Sequence, residues 1–126
     1  MHTIIRNLAR ATALAIFCVG AQTLPSLAHA ELVSSVPAAD AVVEVMPEAL
    51  VLTFSESIEP AFSKIEIVGP DGLAVGGTSL AIDTANAASV IVTLPAGLPD
   101  GSYTIDWAAV AADGHKVSGT YSFDVK

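Results

Sequence analysis

The sequence predicts an all-β fold, a single β-sandwich or barrel, carried behind a removable export signal. Three observations predict it. Apolar and polar residues alternate with period two in short runs, as they do on half-buried strands. Glycine and proline turn signals separate those runs. No run between the turns repeats with a helical period.

The chain has 126 residues, enough for one domain rather than two. Its first 28 residues read as a secretory signal peptide. Arg6 and Arg10 make a basic start, Ala11 to Gly20 is a short apolar core, and Ser26-Leu27-Ala28 is a small-x-small cleavage pattern. The apolar run is shorter than the ~20 residues that a membrane-spanning helix needs, so the mature chain is expected not to be membrane-embedded. Two cuts satisfy the spacing. One falls before His29; the other, after Ala28-His29-Ala30, falls before Glu31 and discards His29.

The remaining domain, 29–126, is acidic. With Arg6 and Arg10 gone, Lys64, Lys116 and Lys126 face all 13 acidic residues. Such a surface repels phosphate backbones and excludes nucleic acid as a partner. Cys18, the one cysteine, lies inside the signal. The domain therefore has neither a disulfide nor a thiolate ligand, which excludes blue-copper electron transfer and cysteine-rich zinc sites.

The strands follow in order. Leu50, Leu52 and Phe54 share one face, as do Ile65 and Ile67, then Val90 and Val92. Tyr103, Ile105 and Trp107 make a fourth apolar face, and Val117, Tyr121, Phe123 and Val125 a fifth. β-Branched and aromatic residues are frequent in these runs, as strands favour. Gly69-Pro70-Asp71-Gly72, Gly76-Gly77, Leu94-Pro95 and Pro99-Asp100-Gly101 punctuate them, because glycine supplies positive φ and proline presets a turn. Phe54, Trp107, Tyr121 and Phe123 are the expected large core residues. Gly76 to Ser89 patterns weakly and reads as a long loop or a pair of irregular edge strands.

The chemistry gathers at two places. Asp113-Gly114-His115 sits between the last two strands, where an Asp and a His two residues apart can point to one side. Asp-Gly is also a common hairpin turn, which needs no function. His29, if it becomes the first residue, offers an amine and an imidazole Nδ1 that close a six-membered chelate ring. An amine, two imidazoles and a carboxylate suit Cu(II) in a tetragonal site. The expected metal ligands are His29, Asp113 and His115, for one Cu(II) ion per chain. Histidine and carboxylate donors also suit Zn(II). No Ser-His-Asp arrangement or phosphate-binding loop stands out.

In its motifs the chain resembles the periplasmic copper-resistance CopC family, which includes PcoC. The resemblance rests on His29-Ala30-Glu31-Leu32 with Ser35-Val36-Pro37-Ala38, on Leu52-Thr53-Phe54-Ser55-Glu56, and on a closing block. That block is Gly101-Ser102-Tyr103-Thr104-Ile105-Asp106-Trp107 followed by Asp113-Gly114-His115-Lys116-Val117-Ser118-Gly119-Thr120-Tyr121-Ser122-Phe123. The resemblance implies a Greek-key sandwich, immunoglobulin- or cupredoxin-like, and a cut before His29. It further implies a Cu(II) site of His29, Asp113 and His115, with Glu56 as a nearby carboxylate that steers the amine or a water. It implies a periplasmic, non-enzymatic protein that stores, buffers or hands on copper, with a membrane copper transporter of the CopD type as a partner. Some members add a Met-rich Cu(I) loop. Here Met46 is the only methionine after the signal, so a Cu(II)-only member is expected. Two other readings stay open: a metal-free immunoglobulin-like structural or adhesion module, and a histidine-brace copper oxidase.

Overall fold

The computed structural model describes residues 30–126. The expected signal and His29 therefore lie outside the described residues. Eight strands carry the fold: β1 (Leu32–Val36), β2 (Val42–Val43), β3 (Ala49–Phe54), β4 (Lys64–Val68), β5 (Ser79–Asp83), β6 (Asn86–Thr93), β7 (Gly101–Val110) and β8 (Lys116–Val125). They form two four-stranded sheets, ordered β1-β3-β6-β5 and β2-β8-β7-β4. The all-β sandwich expected from the alternation is the fold observed. A single turn of 3-10 helix, Pro60–Phe62, interrupts it.

The alternation shows directly in the burial. On β3, Leu50, Leu52 and Phe54 are buried while their neighbours are half-exposed. Val90 and Val92 on β6 close against them, since β3 and β6 pair Leu50 with Val92 and Leu52 with Val90. From the other sheet come Tyr103, Ile105 and Trp107 on β7, and Tyr121, Phe123 and Val125 on β8. Phe54 and Trp107 meet edge to face at 5.2 Å between ring centres, and Tyr103 stacks on Phe123 at 5.7 Å. Both separations suit the ring quadrupoles. The four large core residues expected from sequence are all buried.

Gly76 to Ser89 resolves into β5, a turn and the start of β6, with an irregularity between Ile82 and Asp83. Its pattern was weak because β5 is an edge strand whose Leu80 and Ile82 are only half-buried. At the far end of β7, Ser63 ties the 3-10 turn down. Its hydroxyl accepts the Val110 N–H at 3.0 Å and donates to the Glu59 carbonyl at 2.8 Å.

Candidate metal centre

β7 and β8 are joined in register over ten residue pairs, from Gly101 with Val125 to Val110 with Lys116. The loop closing this ladder carries Asp113, Gly114 and His115. Ala111 N–H donates to the His115 carbonyl at 2.9 Å, and Gly114 N–H donates back to the Ala111 carbonyl at 2.9 Å. Gly114 has a φ of +90°, and nothing lies within 4 Å of where a Cβ would stand. Glycine is therefore needed here for its backbone conformation and not for space.

Asp113 holds His115 twice. Its Oδ1 accepts the His115 backbone N–H at 3.0 Å, and its Oδ2 lies 2.8 Å from His115 Nδ1. Both side chains are about half exposed. The His115 hydrogen bonds hold the Asp113 carboxyl below its usual value. In return, the bond to Asp113 and the Asp113 charge raise His115, and the Glu56 charge adds to them. The two residues that sequence reading placed side by side are in contact, and Glu56 acts on the same imidazole. With Nδ1 turned to Asp113 at 2.8 Å, the carboxylate holds the orientation of the His115 ring.

Two further segments reach this end of the sandwich. The chain beyond β3 passes under the loop, where Ala112 N–H donates to the Ser57 carbonyl at 2.9 Å. One residue pair back, Glu31 N–H donates to Ser55 Oγ at 2.9 Å and Ser55 N–H donates to the Glu31 carbonyl at 2.9 Å. Ala30, the first described residue, is 1 % exposed. It lines a groove of about 760 Å³ together with Trp107, Lys116, Val117 and Tyr121. The start of the described chain therefore lies beside the strand that leaves His115.

Ser55 and Ser57 act through main-chain and hydroxyl bonds between segments far apart in sequence, and no local pattern announces such bonds. Among the described residues, no three His, Cys, Asp or Glu side chains gather closely enough to hold a metal ion. His29 lies outside the described residues. No helix among the described residues is long and apolar enough to cross a membrane.

Comparison with known proteins gives one concordant picture. The CopC domain profile matches residues 32–126. Protein YobA of Escherichia coli K12 is 40 % identical over 114 residues, covering 90 % of this chain and 92 % of YobA. The crystal structure of CopC from Methylosinus trichosporium OB3b superposes with a TM-score of 0.71 at 31 % identity, over 78 % of this chain and 94 % of that one. The crystal structure of PcoC, a methionine-rich copper resistance protein from Escherichia coli, gives a TM-score of 0.69 at 36 % identity, over 79 % of this chain and all of PcoC.

Proposed function

The chain belongs to the CopC domain family, and from that premise we propose that it is an exported Cu(II)-binding protein that stores, buffers or hands on one copper ion per chain. The observation that carries the reading is the Asp113–His115 pair, locked at 2.8 Å on an exposed turn at the end of the sandwich where the described chain begins. Relatives named for copper resistance support copper as the cargo.

The donors fit Cu(II). His115 contributes Nε2. A chain cut before His29 adds a terminal amine and a second imidazole. Asp113 orients His115 and supplies the carboxylate ligand, which neutralises part of the ion's charge. Nitrogen and oxygen donors favour Cu(II), whereas thioethers favour Cu(I). In contrast to the methionine-rich PcoC, this chain keeps only Met46 after the signal, and that side chain packs against the core. Binding, not catalysis, is the activity proposed, in the periplasm, with delivery to a membrane copper transporter of the CopD type as one route.

The test is titration of the purified exported protein with Cu(II), followed by EPR, with the intact mass read on the same sample. One tetragonal Cu(II) on a chain starting at His29 is expected, and His115→Ala should weaken binding sharply. A chain starting at Glu31, or unchanged affinity in His115→Ala, overturns the assignment.

A further inference from the structure

The opposite end of the sandwich holds a different kind of site. The Gly69–Gly72 turn after β4 and the Pro99–Gly101 turn before β7 face each other across a cavity of about 430 Å³. Ten residues of β7 separate it from the Asp113–His115 turn, roughly 30 Å at the rise of a strand.

The cavity is built rather than incidental. Pro70 lies against Gly101 so closely that a Cβ there would stand 2.5 Å from the proline ring. Tyr103, buried on β7, donates its hydroxyl to the Pro99 carbonyl. The first turn closes on itself through Gly72 N–H to the Gly69 carbonyl at 3.0 Å and Leu73 N–H to Asp71 Oδ1 at 3.1 Å. Val75 N–H then returns to the Ile67 carbonyl at 2.7 Å. Both walls are thus fixed before any ligand arrives, which spares a ligand the cost of ordering them.

The lining sets the ligand class. Leu73, Val75 and Leu98 supply apolar walls, and Leu73 is 67 % exposed. Asp71 and Asp100 supply the charge, and no Lys, Arg or His lines the cavity. After burial, the charges of Asp100 and Asp71 are what raise the Tyr103 hydroxyl, so both carboxylates act on one point of the wall. The volume lies in the range of small-molecule pockets, which pair apolar walls with a few placed polar groups.

We propose that this cavity binds a small organic cation, an ammonium group carried on an apolar body. The ammonium sits between Asp71 and Asp100, and the body lies against Leu73, Val75 and Leu98. The site is separate from the metal centre and does not depend on the copper reading.

Amide chemical-shift titration of the metal-free protein tests this, with phenethylammonium as the probe and 2-phenylethanol as its neutral counterpart. Saturable shifts confined to residues 69–76 and 98–103 are expected for the cation. The alcohol should bind about two- to fivefold more weakly, the ratio that loss of a partly exposed ion pair gives. Asp71→Asn/Asp100→Asn should remove that preference, and because both residues are exposed the variant should keep its amide dispersion. No saturable shifts, shifts centred elsewhere, equal binding of the alcohol, or an undiminished preference in the folded double variant each overturns the proposal.

Discussion

Replacing Gly119 by alanine should destabilise the domain, for a reason that can be worked from contacts. Gly119 lies opposite Trp107 in the β7–β8 ladder. A Cβ at Gly119 would stand 2.6 Å from Trp107 Cζ2, 2.8 Å from Cε2 and 3.1 Å from Nε1. Carbon atoms pack comfortably at about 3.5–4.0 Å, so the indole must move by roughly 1 Å. That shift disturbs the edge-to-face contact with Phe54 at 5.2 Å. Overpacking of this kind costs ~1–3 kcal/mol. The lower entropy of the unfolded alanine chain returns ~0.4–1 kcal/mol, leaving a net loss of about 1–2 kcal/mol. For a domain of this size each kcal/mol moves Tm by roughly 4–8 °C, so a fall of about 5–15 °C is expected. Thermal unfolding followed by circular dichroism and tryptophan emission reads it. Trp107→Phe, which shortens the ring, should cost less in the Gly119→Ala background than in the parent. An unchanged or higher Tm, or strict additivity of the two substitutions, would refute the packing argument.

Other outcomes follow from the same geometry. Asp113→Asn, which removes a proposed carboxylate ligand and the brace on His115 together, should lower Cu(II) affinity by at least about 10–100-fold, while Tm barely moves; competition titration with a chelator measures it. A chain made to begin at Ala30 should fold normally and lose tight Cu(II) binding, which the same titration detects. Burial pushes the Tyr121 hydroxyl up to about 12, with Ser35 pulling weakly the other way without making a well-aligned hydrogen bond. Because the folded value lies above the unfolded value of 10.0, this contribution is whole below pH 10 and is lost as pH rises towards 12. Stability should fall there by up to about 1.4 kcal/mol per pH unit, and Tyr121→Phe should flatten that slope in denaturant titrations across the alkaline range.

The sequence disclosed those parts of the fold in which one strand face is buried and the other wet. Leu50, Leu52 and Phe54 announce β3 because every second side chain enters the core. β1 carries no clear alternation because it is an edge whose Val33 and Val36 point outward, 66 % and 61 % exposed. β2 is too short, at two residues, to show any period. Of the candidate site, the Asp113–His115 contact was legible because two residues across a glycine turn are held together locally. Glu56 came in only through resemblance, and its field at His115 depends on how the segment after β3 passes beneath the turn. Ser55 and Glu31, 24 positions apart, pair because β1 and β3 continue their antiparallel course beyond the ladder. Tertiary geometry creates that pairing, and composition carries no trace of it.

The ladder between β7 and β8 ends at Val110 and Lys116, so Asp113 and His115, the proposed donors, contribute nothing to the core. Inside the ladder a one-residue insertion would turn every following side chain to the wrong face of the sheet. Outside it, a changed donor alters what the turn can hold and leaves the sandwich intact. The architecture thus separates two kinds of heritable change. Substitutions within the strands are constrained by packing, while those at Asp113 and His115, both about half exposed, are constrained mainly by what the turn binds. A side chain exchanged at either of these two positions therefore changes the chemistry on offer at this end of the sandwich while the paired strands keep their register.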